Sequence, residues 1–206
     1  MSRFVVTGTG TGIGKSIFSA VLTGALRAHY WKPIQSGLEE ETDAELVVRL
    51  SGVLQTSIIP EAYRLQLPAS PHLSAEVEGM VIDVDALAVP PHNPLVIEGA
   101  GGVLVPLTRN VLSADLFARW QVPVILVATT QLGTISHSLS AIEALKARNV
   151  PIRGIAFVGD AHEDNETIIP ALSGVRRLGR LPILNPLSRA SLAAAFAEHF
   201  NLTDFA

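Results

Sequence analysis

The chain has 206 residues, 48% of them apolar, and carries a formal net charge of −4 with no cysteine. This length favours one domain, residues 1–206, and the missing cysteines exclude disulfides and thiolate metal sites. The chain is acidic overall and has no cluster of cations of the kind that binds nucleic acid. The apolar run from Phe4 to Val6 is too short for the core of a signal peptide, and no apolar run reaches the roughly 20 residues of a membrane-spanning helix. We therefore expect a soluble cytoplasmic protein.

Short apolar runs alternate with helical patterns along the chain. The predicted strands cover residues 4–7, 95–98, 122–129 and 152–158, and the predicted helices cover residues 15–28, 42–50, 134–148 and 188–200. Thr42, Thr134 and Ser188 are predicted helix N-caps, and Glu45 completes a capping box with Thr42. Strands that are apolar throughout predict an α/β fold with a mostly parallel central sheet and helices on both faces. Apart from the helix at 42–50, the segment 34–94 is less regular, and its proline-rich pieces are predicted to form loops over one sheet edge.

The stretch TGTGTGIGKS, residues 7–16, fits two different kinds of nucleotide site. Its glycine spacing resembles the dinucleotide motif of short-chain dehydrogenases, whose catalytic pair is Tyr-x-x-x-Lys. The two tyrosines of this chain, Tyr30 and Tyr63, are followed four residues later by Ile34 and Leu67. The hydride-transfer interpretation is therefore rejected.

The phosphate-loop interpretation explains the residues that end the same stretch. Glycines after a strand let backbone N–H groups turn toward a phosphate, and the helix starting near Lys15 presents its positive end there. Lys15 would bind phosphate and Ser16 would bind Mg²⁺. Position 9 is Thr where the usual pattern has its first glycine, so this loop is one residue longer. It is typical of a P-loop NTPase, which alone specifies no reaction.

Three further polar residues are predicted to lie at the same sheet edge. Lys32 precedes Pro33 at the end of a predicted strand, Asp43 opens a helix, and Glu98 ends an apolar strand before a glycine-rich turn. Ligands bind at the carboxyl edge of parallel strands, where acids can hold Mg²⁺ and a lysine can stabilise a transferred phosphoryl group. A solvated strand-end lysine and a helix-dipole acid remain the alternatives for Lys32 and Asp43 taken singly.

Taken together, the motifs TGTGTGIGKS, WKPIQSG (31–37), SPHLSA (70–75), VIEGAGG (96–102) and QLGTISHS (131–138) resemble the dethiobiotin synthetase family. The resemblance covers most of the chain, and the order of the motifs is more specific than any one of them. It implies an ATP- and Mg²⁺-dependent ligase of biotin biosynthesis that closes a ring on 7,8-diaminononanoate with CO₂. It also implies a homodimer in which the start of one helix reaches the partner's site.

The resemblance assigns site residues by role. Lys32 and Lys15 are the expected catalytic residues, and Ser16, Asp43 and Glu98 the expected metal ligands. The expected substrate-binding residues are Thr11, Ser36, Gly133 and Thr134. The expected nucleotide-binding residues are Gly12, Ile13, Gly14, Lys15, Ser16, Ile17, Asp43, Glu98, Gly99, Ala100 and Gly101.

Three positions depart from the family pattern. Gly12 and Ser136 stand where many members have Glu and Asn, and Gly159 replaces an Asn that reads adenine, which bears on base preference. His72 and His137 fit structural roles better than catalytic ones, and the Arg176, Arg177 and Arg180 group fits a solvated or ligand-edge turn. The alternatives are an amide ligase of the cobyric acid type, for which 206 residues leave little room, and a MinD- or ParA-like regulatory ATPase, which would need a second loop lysine.

Overall fold

The computed structural model describes residues 2–206, which form a seven-stranded sheet with helices on both faces. The strand order is β4-β2-β6-β1-β7-β8-β9, and every paired strand in it runs parallel. Two further strands, β3 and β5, pair in a separate small sheet. The strands are β1 Arg3–Gly8, β2 His29–Trp31, β3 Ile34–Ser36, β4 Ile58–Ile59, β5 Tyr63–Leu65, β6 Leu95–Gly102, β7 Val124–Thr129, β8 Ile152–Val158 and β9 Arg177–Leu181.

Two apolar clusters, one on each face of the sheet, confirm the predicted three-layer arrangement. Helices α1, α2 and α7 pack with one another on one face, and α4, α5 and α6 form a contiguous row on the other. The helices are α1 Lys15–Leu26, α2 Asp43–Ser51, α3 Pro71–Val77, α4 Ser113–Trp120, α5 Thr134–Lys146, α6 Glu163–Ser173 and α7 Arg189–His199. No helix within residues 2–206 is both long and apolar enough to cross a membrane.

Two of the three predicted N-caps are confirmed. The Thr42 hydroxyl accepts from Glu45 N–H, and the Ser188 hydroxyl accepts from Ser191 N–H. The prediction for Thr134 was wrong, because Gly133 with φ of 92° is the N-cap of α5. The Thr134 hydroxyl instead donates to the Thr129 carbonyl at 2.5 Å, which ties α5 to the end of β7.

The segment 34–94 contains more regular structure than the sequence predicted. Its chain forms β3, β4, β5 and α3, and β4 extends the main sheet at its edge. The prolines limit these elements to two to seven residues without excluding them. The small sheet and α3 stand beside the carboxyl edge of β2 and β6 and form one wall of the cavity described below.

Helices α1 and α2 approach each other closely at Gly24. A Cβ atom on Gly24 would lie 2.7 Å from the Ser51 carbonyl oxygen, so only glycine permits this separation. The close packing near the carboxyl ends of both helices sets how their amino ends, Ser16 and Asp43, come together.

Candidate active site

The phosphate loop follows β1, which lies between β6 and β7 in the sheet. Gly14 is the N-cap of α1 with φ of 94°, and its Cβ would lie 2.8 Å from Val158 Cγ1. Both the left-handed backbone and this contact require glycine. The positive end of α1 therefore opens at the carboxyl edge of the sheet, as the sequence predicted.

Strand register explains why Glu98 faces α1 and α2. In β6, Val96 packs in the cluster beneath these helices and Ile97 packs in the cluster on the opposite face. Side chains alternate between faces along a strand, so Glu98 shares the face of Val96. Tyr30, which pairs with Val96 in the neighbouring β2, lies on the same face.

Four side chains, from α1, α2, β6 and the residue after β2, form a largely buried charge cluster. The Ser16 hydroxyl oxygen lies 2.5 Å from Asp43 Oδ1 and 2.8 Å from Glu98 Oε1. The Lys32 ammonium donates to Asp43 Oδ2 and, at 3.2 Å, to Glu98 Oε1. Lys32 immediately follows β2 rather than ending it, and its side chain is 7% exposed. The solvated alternative for Lys32 is thereby excluded.

Charges within the cluster shift three pKa values. Burial lowers the pKa of Lys15, and the nearby Lys32 cation adds to this effect while Glu98 opposes it. Burial alone would also lower the pKa of Lys32, but Glu98 and Asp43 together outweigh it and hold that pKa above its ordinary value. Burial likewise acts to raise the pKa of Asp43, but Lys32 and Ser16 outweigh it and keep that pKa low.

A cavity of about 600 Å³ opens above this cluster. Its floor is the phosphate loop with the charge cluster, and its opposite wall comes from the small sheet and the segment before α3. The residues that line it are Thr11, Gly12, Gly14, Lys15, Ser16, Ile17, Lys32, Ile34, Gln35, Ser36, Asp43, Leu46, Pro68, Ala69, Ser70, Pro71, Glu98, Ala100, Gly101 and Val105.

Most of the residues expected at the site line this cavity, and four do not. Ile13 and Gly99 lie beside it, and a Cβ on Gly99 would be 2.9 Å from Phe117 Cζ, so that glycine serves packing. Gly133 and Thr134 lie at the start of α5, outside the lining of this cavity. Their expected contact with substrate requires a second protomer.

Ser36 and Ser70 bring hydroxyls to the far wall of the cavity. The Ser36 hydroxyl is buried and has no hydrogen-bond partner within residues 2–206. Ser70 Oγ lies 3.0 Å from His72 Nδ1. A buried hydroxyl with no protein partner is suited to a polar group of a bound molecule.

Sequence reasoning missed Tyr30 and Gln35. Tyr30 is fully buried and donates to Glu98 Oε2 at 3.0 Å, and Gln35 Oε1 accepts from Asp43 N–H at 3.4 Å. Tyr30 lies two residues before Lys32, and residues two apart in a strand share a face. This spacing was the sequence signal that could have placed Tyr30 near the site.

The three arginines expected at a solvated or ligand-edge turn lie just before and within β9, and each forms an ion pair within the chain while the Arg176 and Arg177 side chains stay exposed. Arg177 and Arg180 both pair with Glu166, and Arg176 pairs with Asp204. Arg180 also donates to the Gly159 carbonyl at 3.0 Å, at the end of β8. Arg180 is thus the member of the group that reaches the carboxyl edge of the sheet.

The oxygen atoms of the cluster fit a magnesium ion. Ser16 Oγ has one proton and two carboxylates within 2.8 Å, so it can donate to only one of them at a time. A hydroxyl and two carboxylates are hard oxygen donors of the kind that Mg²⁺ selects, with phosphate and water oxygens completing six ligands. No cluster of three or more His, Cys, Asp or Glu side chains suited to a metal occurs between residues 2 and 206.

Comparison with known proteins identifies the family. A family model described as an AAA domain matches residues 2–191. The ATP-dependent dethiobiotin synthetase BioD of Novosphingobium aromaticivorans is 61% identical over 206 residues, and that of Sphingopyxis alaskensis is 62% identical over 205. Each alignment covers 100% of both chains. This chain belongs to the dethiobiotin synthetase family. The resemblance predicted from the motifs is confirmed.

A solved structure outside the dethiobiotin synthetases shares the fold. A ParA family ATPase from Chlorobium tepidum aligns with a TM-score of 0.50 at 13% identity, over 96% of this chain and 93% of that one. The α/β prediction with a P-loop NTPase architecture is thereby confirmed. Identity this low establishes the fold alone, and the full-length dethiobiotin synthetase relatives outweigh the regulatory ATPase alternative.

Proposed function

We propose that this chain is an ATP-dependent dethiobiotin synthetase that carboxylates 7,8-diaminononanoate with CO₂ and closes it to a cyclic urea. The observation that carries the proposal is the convergence of Lys15, Ser16, Lys32, Asp43 and Glu98 at one cavity, in a chain 61% identical to an ATP-dependent dethiobiotin synthetase over its full length. The convergence supports triphosphate chemistry, and the relatives support the substrate.

The proposed reaction needs positioning and charge neutralisation rather than a covalent nucleophile. One amine of the substrate adds to CO₂ and loses a proton, which gives a carbamate. A carbamate oxygen attacks the γ-phosphorus of ATP, ADP leaves, and a carbamic-phosphoric anhydride results. The second amine then attacks the carbonyl carbon, expels phosphate and loses a proton as the ring closes.

Nucleotide binding is assigned to the phosphate loop. Lys15 donates to the Gly10 carbonyl at 2.6 Å, so its ammonium already lies across the loop and can reach the β- and γ-phosphates. Gly12, Gly14 and Ile17 line the cavity beside it. Bound at Ser16, Asp43 and Glu98, Mg²⁺ would neutralise part of the triphosphate charge.

Lys32 is assigned to the transferred phosphoryl group. Its pKa lies above the ordinary lysine value, so it is a cation across the neutral range. Lys32 reaches the floor of the cavity between Asp43 and Glu98, opposite Lys15. From there its ammonium can neutralise negative charge on the carbamate and on the γ-phosphate together.

The diamine is assigned to the far half of the cavity. Ile34, Leu46 and Val105 give it an apolar wall for an alkyl chain, and the hydroxyls of Thr11 and Ser36 are polar groups for the amine or carbamate. The substrate carboxylate would bind at the start of α5 in a second protomer. The Thr134 N–H and hydroxyl already donate to the Gln131 and Thr129 carbonyls. Of the two expected residues, we therefore propose Gly133 of the partner subunit for this contact.

The activity test combines the purified chain with 7,8-diaminononanoate, bicarbonate, Mg²⁺ and ATP, with dethiobiotin detected by mass and phosphate by colorimetry. We expect one phosphate for each dethiobiotin, and no phosphate release when either the diamine or bicarbonate is omitted. Phosphate release at the same rate without diamine would favour a regulatory ATPase, and release that required glutamine or ammonia would favour an amide ligase.

The proposed homodimer has its own test at Leu132, whose side chain is fully exposed next to Gly133. We expect sedimentation velocity to show a dimer and Leu132→Glu to weaken it, with KM for the diamine raised and KM for ATP little changed. Leu54→Glu is the matched control, because Leu54 is also exposed but lies in the loop after α2. A wild-type monomer with full activity would contradict the shared site.

A further inference from the structure

Tyr30 has a buried hydroxyl that none of the proposed reaction steps uses. Its side chain is fully buried in β2, between β4 and β6, and its hydroxyl donates to Glu98 Oε2 at 3.0 Å. A phenol is protonated at neutral pH, so this hydroxyl remains a donor.

The two oxygens of Glu98 face different environments. Oε2 is bonded to the Tyr30 hydroxyl, on the core side of the cluster. Oε1 lies 2.8 Å from Ser16 Oγ and 3.2 Å from Lys32 Nζ, at the floor of the cavity. The Glu98 carboxylate can rotate about χ3, which has broad, two-fold minima. A hydrogen bond to one oxygen is therefore needed to keep Oε1 facing the cavity and Oε2 facing the core.

The burial of Glu98 makes this bond costly to lose. Glu98 is 0% exposed, and a buried carboxylate must be compensated by hydrogen bonds and opposite charge. Ser16 and Lys32 belong to the binding site and would have to redirect when metal and nucleotide enter. Tyr30 sits outside the cavity lining and keeps its donor in place throughout.

We propose that Tyr30 is a positioning residue for the metal site: its hydroxyl holds Glu98 so that Oε1 points at the metal and nucleotide. The proposal rests on the assignment of Glu98 as a magnesium ligand in the proposed function. Tyr30 touches neither substrate nor nucleotide and acts only through Glu98. The proposed metal site thus includes one residue of the core, Tyr30, on the sheet face that it shares with Glu98.

The test compares Tyr30→Phe with Tyr63→Phe. Each substitution removes one phenolic hydroxyl and keeps the ring, and these are the only two tyrosines in the chain. Tyr63, the first residue of β5, is a matched control because its hydroxyl is also hydrogen-bonded, accepting from Asp83 N–H at 2.8 Å, and the residue is outside the cavity lining. Both variants lose a hydrogen bond, so a change in Tm alone does not distinguish positioning from structural support.

The decisive measurement is the affinity for Mn²⁺ in the presence of a non-hydrolysable ATP analogue, determined by electron paramagnetic resonance. Loss of a partner that orients a metal ligand costs about 10- to 100-fold in metal affinity, which is the weakening expected for Tyr30→Phe. Affinity for the analogue without metal should change less than threefold, and Tyr63→Phe should match the wild type. Equal Mn²⁺ affinity in Tyr30→Phe and the wild type would overturn the proposal, as would equal weakening in both variants.

A second measurement applies if Tyr30→Phe does not fold. In the wild type labelled with ring-¹³C tyrosine, the Tyr30 Cζ signal, assigned with Tyr63→Phe, should shift when Mg²⁺ joins the analogue complex. An unmoved Tyr30 signal under saturating Mg²⁺ would reject coupling to the metal site. Neither measurement contains diamine or bicarbonate, so failure to form dethiobiotin would reject the proposed function without affecting this result.

Discussion

Lys32 is the residue on which the proposed chemistry depends most. It is held between two carboxylates, and it is the cation closest to both Asp43 and Glu98 among the ion pairs of residues 2–206. Lys32 thus offsets one of the two negative charges of the cluster before any ligand enters. A metal ion bound by these carboxylates would free the Lys32 ammonium to interact with the phosphoryl group.

Lys32→Ala should lower kcat by about 10²- to 10³-fold, because charge that develops on the transferred phosphoryl group loses a preorganised partner. Nucleotide affinity should change far less, since Lys15 and the loop remain. Single-turnover phosphate release and equilibrium nucleotide binding measure the two effects. Lys146→Ala is the matched control, because Lys146 donates to the Ser173 carbonyl on the opposite face of the sheet. Near-normal turnover would remove Lys32 from the mechanism.

Gly159 bears on which base the site accepts. Its φ is 138°, and a Cβ there would lie 2.4 Å from Thr130 Oγ1, so a side chain just after β8 would be strained and would displace Thr130. The family resemblance places an adenine-reading Asn at this position. We expect GTP or CTP to support turnover within about tenfold of ATP, which corresponds to about 1.4 kcal/mol of discrimination. Comparison of kcat/KM for the three triphosphates checks this, and a strong ATP preference would assign base reading to another group.

At the scale of elements, α2 links stability to the site. Its capping box, Thr42 with Glu45, fixes the first turn, and Asp43 is the first residue of that turn. Gln35 in β3 accepts from the Asp43 N–H, so the small sheet also holds this turn. The amino end of α2 is therefore both a helix cap and part of the proposed metal site.

Thr42→Ala should lower the free energy of unfolding by about 1 kcal/mol, as loss of an N-cap does, and should also weaken metal–nucleotide binding because Asp43 loses its anchor. Chemical denaturation and Mn²⁺ titration measure the two effects. Ser188→Ala removes the equivalent cap of α7, remote from the cavity, and should cost similar stability with unchanged binding. Equal binding in both variants would contradict the link.

The sequence predicted the elements that carry strong local signals. Continuous apolar runs identified β1, β6, β7 and β8, and the capping box identified the start of α2. The Thr134 cap was wrong because glycine at position 133 can adopt the left-handed conformation and leaves the Thr134 hydroxyl for the Thr129 carbonyl. The two-residue β4 and three-residue β3 are too short for periodicity, and they form only because neighbouring strands offer partners.

The site residues also differ in whether a local sequence signal predicts them. Lys15, Ser16 and Glu98 belong to contiguous sequence motifs, and the residue types of those motifs predict their chemistry. The contact between Tyr30 and Glu98 joins residues 68 positions apart, and it depends on the pairing of β2 with β6. Strand order is a tertiary property, so side-chain alternation could place Tyr30 on the face of Lys32 but could not place it beside Glu98.

For the whole molecule, acid should unfold the protein in a predictable range. Five carboxyls have lowered pKa values: Glu41, Asp43, Glu45, Glu76 and Asp115. A group with a lower pKa in the folded state binds fewer protons there than in the unfolded chain, so its stabilisation is present above the ordinary carboxyl pKa and is lost as pH falls through the lowered one.

We therefore expect Tm to be nearly constant from pH 7 to about 5 and to fall below about pH 4, with Asp43 as the main contributor because the other four carboxyls are exposed or partly exposed. Calorimetry across this range checks the sign. Arg49→Gln removes the ion pair that lowers the pKa of Glu41, an exposed group, and should leave the curve almost unchanged. A Tm that rises below pH 4 would contradict the assignment.

The contact between Gly24 and Ser51 also constrains protein engineering. Glycine inside a helix costs about 1 kcal/mol relative to alanine, so Gly24→Ala would be an obvious candidate for thermostabilisation. Yet the added methyl group would press on the Ser51 carbonyl and splay α1 from α2. Ser16 lies eight residues away, about 12 Å along α1, at the end where such a tilt would separate it from Asp43. Gly24→Ala should therefore lower both heat tolerance and activity, and a stabilising design chosen from helix propensity alone would fail at this position.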